Sequence, residues 1–320
     1  MVKQAKERFD EFLSKYGKSK IAIVTHSRAD ADAIASAYVL SRILKNSIIC
    51  SSEEMREGAR QLTERLRIEI KDLNFINKND IDGIAVVDTS TYVLTAEAKG
   101  WKILGIIDHH RIEGKDMNGE FEIIDRESPS TAEILANIID ADEIDKEMAF
   151  ALSVGIISDG ARFKSARANT FETLGRFMKK ADADYLELLD IAEPEPKQEA
   201  KVAILKTMKN LEFVYVAGHV IVTGEADSNE SDAASIITDA ADVAFIANWK
   251  NKEQETRISA RAMKSTKIPL NKVMAEVGKE LDGAGGGHPK AAGASVKAHT
   301  KEALEKCVEV FIKAAEEISS

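Results

Sequence analysis

Along the first half of the chain, short apolar runs rich in Ile and Val alternate with stretches whose apolar residues recur at helical spacing. The runs at 21–26, 46–51, 83–88 and 103–108, with a shorter one at 121–124, predict strands, and 31–45 and 54–68 predict helices between them. Such alternation is the pattern of a parallel sheet flanked by helices. In SPSTAEILANII, Ser128 as N-cap and Pro129 as first helical residue predict a further helix, with Ser130 and Thr131 in its cap region or, as the second reading, lining a pocket. More helices are expected at 145–158, 168–180 and 182–192.

The pattern changes at AEPEPKQEA (192–200), where two prolines and charge read as a linker into a connecting helix from about 198 to 211. Beyond it, EFVYVAGHVIVTGEA predicts two strands around an Ala217-Gly218 turn. VAFIANW and TRISARAM predict two more, and a helix over 300–318 closes the chain. The expected fold class is α/β: a doubly wound N-terminal domain with a parallel sheet over 1–191, a linker and connecting helix over 192–211, and a smaller α/β domain of mixed sheet over 212–320. An active-site cleft is expected between the two domains.

Composition narrows the function classes. The 320 residues are 44% apolar and 31% charged, ordinary for a globular protein. No run approaches the length of a membrane span, and MVKQAKERFDEFLSKYGK lacks an apolar signal core, so a cytoplasmic location is the expectation. Cys50 and Cys307 form no CxxC spacing, which argues against a disulfide framework or zinc knuckle. The formal net charge of −10 lies almost entirely before residue 197. A coat for long duplex nucleic acid carries the opposite sign, because its affinity comes from neutralising phosphates. An acidic domain instead suits bound cations.

The acids and histidines fall where strands run out. VTHSRADAD follows the first strand, VVDTS places Asp88 after the third, and IIDHH places Asp108, His109 and His110 after the fourth; Asp159 in GIISDGARF follows an apolar helical run. In an open parallel sheet, ligands bind beyond the carboxyl ends of the strands, so these segments are expected to converge. Taken singly, each has a plainer reading, and Asp30 or Asp32 suits the cap of the following helix. Together they are too negative to share a site without cations. Oxygen-rich donors with a minority of imidazole suit Mn²⁺ or Mg²⁺, and their number is enough for two ions at a phosphoryl centre.

In that order and spacing, H-x₃-D-x-D, D, D-H-H and D resemble the DHH phosphoesterase superfamily, which includes RecJ nucleases, nanoRNA and pAp phosphatases, cyclic-di-AMP phosphodiesterases and family II inorganic pyrophosphatases. GAGGGHPKAAGAS (283–295) is similar to the signature of the DHH-associated domain. The resemblance implies that His26 and Asp30 hold one manganese, that Asp32, His109 and Asp159 hold the other, and that Asp88 bridges them. Mg²⁺ or Co²⁺ are the expected substitutes. It implies that His110 stabilises charge or donates a proton at the scissile phosphate, while Asp108 orients a ligand. Substrate phosphate would meet Ser259 and Arg261, the Gly285-Gly286-Gly287-His288 segment with Lys290 nearby, and Arg111. The chain departs from the family at Ala29 and Ala35 in the first motif and at Ser158-Asp159-Gly160-Ala161 in the fourth, which leaves the pocket near Ala161 and Arg162 undefined.

The expected activity is therefore a manganese-dependent phosphodiesterase or phosphatase acting on short oligonucleotides, linear or cyclic dinucleotides, or pAp. Alternatives are a RecJ-like single-strand exonuclease, an inorganic pyrophosphatase and a nonhydrolytic nucleotide-binding scaffold. Partners are expected to be a short nucleotide substrate and no membrane, with a homodimer left open.

Overall fold

A computed structural model describes residues 2–52, 54–110, 115–159, 163 and 166–319. The chain divides into two compact units, Met1–Glu195 and Pro196–Ser320. In the first, chain order is α1 (Val2–Tyr16), β1 (Ile21–Val24), α2 (Ala31–Ile43), β2 (Ser47–Cys50), α3 (Glu57–Leu66), β3 (Ile70–Lys71), β4 (Gly83–Val87), β5 (Ile103–Asp108), β6 (Phe121–Ile124), α4 (Thr131–Ile138), α5 (Lys146–Asp159), α6 (Ala168–Ala181) and α7 (Tyr185–Ala192). The six strands form one parallel sheet of order β3-β2-β1-β4-β5-β6. That order reverses direction between β1 and β4, where a doubly wound sheet opens a crevice at its carboxyl edge.

The runs that read as strands do so because both faces are covered. Ile21, Ala22, Ile23 and Val24 are all buried, with Ile21 and Ile23 packing into the core shared with α2, α4 and α5, and Ala22 and Val24 into a second core on the other face. Each fully buried Ile or Val contributes about 1.5–3 kcal/mol, so the centre of the sheet is the rigid platform of the unit. Helices α2 and α5 approach closely because their contact is built of small residues. A Cβ on Gly155 of α5 would lie 2.7 Å from the Ala132 methyl and 3.0 Å from both the Ala35 methyl and Asp32 Oδ1.

The helix after residue 128 starts later than its sequence suggests. Ser130, not Ser128, is the N-cap: its Oγ accepts from the Glu133 N–H at 3.0 Å, and the helix begins at Thr131 rather than Pro129. Ser128 Oγ donates to the Ser130 carbonyl instead. The first helical N–H groups, of Thr131 and Ala132, are claimed by Asp32, far away in sequence.

The second unit runs α8 (Gln198–Lys209), β7 (Glu212–Val216), β8 (His219–Glu225), α9 (Glu230–Ile237), β9 (Val243–Lys250), β10 (Glu255–Ala262), α10 (Leu270–Glu280), β11 (Ala284–His288), β12 (Ala291–Val296) and α11 (Thr300–Ser319). Its mixed sheet has the order β11-β12-β10-β9-β8-β7, and only the β8–β9 pair is parallel. One face packs against α10 and α11, the other against α8 and α9.

The glycine-rich segment forms a strand that the sequence pattern did not predict. Gly285, Gly286 and Gly287 lie inside β11 and pair with β12. Two of the three are set by packing. A Cβ on Gly285 would sit 1.8 Å from the Met274 carbonyl oxygen, and Gly287 has φ +130° against β12, whereas a Cβ on Gly286 meets nothing within 4 Å.

Candidate active site

Each strand end near the sheet's reversal point delivers part of one polar cluster. β1 leads into His26 and on to Asp30, the N-cap of α2, whose side chain accepts from the Ala33 N–H at 3.2 Å. Asp32 lies in the first turn of α2 and is fully buried. β4 is followed directly by Asp88, whose φ of +63° is a left-handed conformation uncommon outside glycine and asparagine. Such a backbone persists where surroundings over-determine it, and it turns the carboxylate into the cluster. β5 ends at Asp108 and passes directly into His109 and His110, and Asp159 is the last residue of α5.

The donor atoms converge in overlapping groups: His26, Asp30 and Asp88; Asp32, His109 and Asp159; and Asp88, His109 and His110, each within a span of 4.8 Å. His26 Nε2 lies 3.5 Å from Asp88 Oδ2, and His109 Nε2 lies 3.5 Å from Asp88 Oδ1 and 2.9 Å from Asp159 Oδ2. The two imidazoles of the DHH triplet are aimed differently. His109 donates through Nδ1 to the Ser128 carbonyl at 3.4 Å, which turns Nε2 toward the carboxylates. His110 donates through Nδ1 to Asp108 Oδ1 at 2.8 Å, and that same oxygen accepts the His110 backbone N–H at 3.1 Å. Asp108 is buried and serves as the holder of His110.

A cluster of this sign cannot remain fully ionised. Burial first, then the charges of Asp30 and Asp159, push the Asp88 carboxyl up to about 8. Asp32 is raised well above its ordinary value by burial and by Asp88. Burial pulls the histidines down, but the Asp159 contact and the Asp88 charge outweigh it at His109, raised to about 10, as Asp108 and Asp88 do at His110, raised to about 9. His26 goes the other way, held below its usual value chiefly by burial. Burial raises Asp108 and Asp159, yet their histidine hydrogen bonds leave both below the ordinary carboxylate range.

Divalent cations fit this set. Among the described residues, Asp88 Oδ2 is buried without a hydrogen-bond partner, a state that costs free energy unless something else is bound. Asp88 belongs to two of the three donor groups. Carboxylates with two or three imidazoles suit Mn²⁺ or Mg²⁺ rather than the thiolate sites of structural zinc.

Three neighbours have roles that the sequence did not assign. Thr131 joins two of the acids: its backbone N–H donates to Asp32 Oδ2 at 2.7 Å and its hydroxyl to Asp88 Oδ1 at 2.8 Å. Its place in S-x-x-E offered it first as a cap residue and only second as one that lines the pocket. Gly155 leaves room for Asp32, and nothing local distinguishes it from any helical glycine. Arg56 lies 3.6 Å from Asp30 Oδ2, with its side chain 68% exposed, and its backbone N–H donates to the Ala29 carbonyl.

The residues expected to meet substrate are spread over the second unit. Arg261 is held by α9: its Nη2 donates to Ser231 Oγ at 2.6 Å and its Nε to Ser235 Oγ at 3.3 Å, while Nη1 reaches Ser259 Oγ at 3.4 Å. Ser259 and Arg261 share one face of β10. His288 ends β11 and is exposed. The Lys290 ammonium donates to the Thr266 carbonyl, and Arg257 sits beside Glu255 at 3.5 Å. Arg111 and Gly160–Arg162 lie outside the described residues.

A doubly wound sheet with an acid-and-histidine centre beyond its strand ends is an arrangement suited to holding divalent cations. Residues 20–156 match the model of the DHH family, N-terminal domain, and residues 215–318 that of the DHHA1 domain. The chain thus carries a DHH domain and a DHHA1 domain; members of the DHH family are metal-dependent hydrolases of phosphoester bonds. An uncharacterized protein of Methanocaldococcus jannaschii is 29% identical over 316 residues, covering 93% of each chain. The crystal structure of an exopolyphosphatase-related protein from Bacteroides fragilis matches with a TM-score of 0.79 at 15% identity, over 99% of this chain and 98% of that one. RecJ in complex with Mn²⁺ from Thermus thermophilus matches with a TM-score of 0.54 at 13% identity, over 99% of this chain and 55% of RecJ. At these identities the two structural likenesses concern the fold. Among the described residues no helix is long and apolar enough to cross a membrane.

Proposed function

We propose that this protein is a manganese-dependent phosphodiesterase or phosphatase of short substrates: oligonucleotides of a few residues, linear or cyclic dinucleotides, or pAp. The observation that carries the reading is the pair of three-residue donor groups, His26 with Asp30 and Asp88 and Asp32 with His109 and Asp159, set beside a histidine that belongs to neither, His110. In this reading His26 and Asp30 hold one ion, Asp32, His109 and Asp159 the other, and Asp88 both. Two such ions, when bound, lower the pKa of water and neutralise charge on a phosphoryl group.

The protein's own groups supply orientation and protons. Asp108 fixes the His110 ring through Nδ1, so that Nε2 is the nitrogen that donates a hydrogen bond or a proton to the departing oxygen. Against the pull of burial, the Asp108 hydrogen bond and the Asp88 charge raise His110 to about 9 in the metal-free protein. Thr131 and the first turn of α4 restrain Asp32 and Asp88, so neither carboxylate has to be ordered when substrate arrives. Ser259, Arg261 and the Gly286-Gly287-His288 stretch are the groups we assign to the remainder of the substrate, Arg261 being already aligned by Ser231 and Ser235. The net charge of −10 favours small substrates over long strands.

The test is a side-by-side assay with Mn²⁺ of pAp, a cyclic dinucleotide, a di- to pentanucleotide RNA and pyrophosphate. Release of mononucleotide or inorganic phosphate from one of the first three supports the reading. Activity on pyrophosphate alone, or on none of the four, overturns it.

A further inference from the structure

The first strand of the second unit, β7, ends the sheet, and among the described residues no strand pairs with its outer edge. Its sequence is Glu-Phe-Val-Tyr-Val, with Phe213 78%, Tyr215 72% and Val214 40% exposed. Edge strands are normally blunted by lysine, proline or a bulge, because an open row of backbone donors and acceptors recruits another strand. β7 has none of these, and its register with β8 runs without interruption.

The backbone geometry says what that edge can accept. Ala217 and Gly218 have φ of +51° and +77°, the two-residue turn of a tight hairpin, which makes its flanking residues Val216 and His219 a hydrogen-bonded pair. Alternation then turns the backbone groups of Val216, Val214 and Glu212 toward β8 and those of Tyr215 and Phe213 outward. Two copies of this strand fit each other in one antiparallel register. With a twofold axis at Val214, Phe213 faces Tyr215 of the second copy and exchanges both backbone hydrogen bonds with it, and Tyr215 does the same with Phe213. Every outward group of Phe213 and Tyr215 is then satisfied.

The side chains suit that register. Phe213 and Tyr215 stand opposite Val222 and Val220, on the face covered by α8 and α9, so the pairing sets aromatic against aromatic across the junction. Glu212 opposes Val216 of the second copy, not its own equivalent, and no like charges meet. At roughly 150–250 Å² for a whole aromatic side chain, the two exposed rings offer about 300 Å² per copy. A stable interface buries about 800 Å² per partner, and on α8, which packs on the same face, Val202 and Leu205 are a further 50% and 64% exposed. We infer that the outer edge of β7 docks a second copy of this chain, antiparallel about Val214, joining two six-stranded sheets into one.

Sedimentation of the full chain at tens of micromolar tests this directly. The expected mass is twice the 35.0 kDa of one chain, falling to 35.0 kDa in the Phe213→Lys/Tyr215→Lys double variant with unchanged circular dichroism. A second variant does not depend on that one folding. At the twofold axis, facing Cα atoms of a non-hydrogen-bonded pair are about 4.5 Å apart, within disulfide reach. Val214→Cys therefore forms an interchain disulfide under mild oxidation. Phe213→Cys, two positions out of register with its own copy, does not, and the native cysteines are both buried. A monomeric wild type, a double variant that is still dimeric, or a Val214→Cys chain that stays uncrosslinked overturns the inference.

Discussion

The two units treat their polar residues in opposite ways. In the first, the carboxylates and imidazoles are buried and cross-braced: Asp32 accepts two backbone N–H groups of α4, Asp88 accepts the Thr131 hydroxyl, and Asp108 holds His110. In the second, the residues assigned to substrate are exposed or half-exposed except for the buried Ser259, and Gly286 has open space where a side chain would go. The first arrangement fixes positions at the expense of crowded charge, and the second leaves room for a ligand at little structural expense. Substitutions in the two units should therefore fail in different ways.

Asp88→Asn gives the largest expected effect. It keeps the size of the side chain but removes the charge that the proposed reading gives to both ions, so hydrolysis should fall by at least about 10³-fold. Calorimetry should register lost Mn²⁺ binding while circular dichroism stays native; a variant that keeps both metal and activity refutes the bridging role. Thr131→Val follows, with Mn²⁺ affinity lowered about 10–100-fold by loss of an orienting hydroxyl, read by titration and by the Mn²⁺ electron paramagnetic resonance spectrum. Thr131→Ser should recover most of it. No recovery in Thr131→Ser, or no loss in Thr131→Val, means the hydroxyl does not position Asp88. Gly155→Ala crowds Asp32 Oδ1 and two alanine methyls, and chemical denaturation should show about 1–3 kcal/mol of lost stability.

A pH series on metal-free protein sharpens the contrast further. His109, His110 and Asp88 all have folded values above their unfolded ones, at about 10, 9 and 8. A raised value stabilises the fold below the unfolded pKa and loses that stabilisation as pH rises through the folded one. Asp108, Asp159 and His26 are lowered, so the changes they bring are complete by about pH 6.5. The melting temperature of chelator-treated protein should thus decline between about pH 6.5 and 10, and saturating Mn²⁺ should flatten the decline. A rising profile contradicts the raised values. The smallest effect belongs to the second unit: Gly286→Ala should change stability by less than about 0.5 kcal/mol while altering substrate KM. If stability drops as it would for Gly285→Ala, the open space at Gly286 is not real.

Much of this molecule was legible from one sequence, for reasons that differ by region. The parallel sheet was readable because strands covered on both faces become unbroken apolar runs, as at Ile21–Val24 and Ile103–Asp108, and because the acids follow those runs. The helix start at Thr131 was not readable, since the partner that claims its first N–H groups, Asp32, comes from α2. The hydroxyl bridge to Asp88 and the close approach at Gly155 have the same origin in long-range contact. In the second unit, β11 was invisible because glycine carries no hydrophobic periodicity, and a run of it looks alike in a loop and in a strand. The short helix α9 was hidden in a polar stretch whose buried side is mostly alanine.

The sheet order has a kinetic consequence. β1 lies in the middle of the sheet although it comes first in the chain, and the donor groups it helps form are completed by Asp88, by His109 and finally by Asp159 at the end of α5. No short segment holds a full set, so loop closure across most of the first unit must come first. A cation then has little to bind in the unfolded chain or in early intermediates. It acts on the finished fold by mass action, slowing the escape from the native state far more than it speeds arrival there.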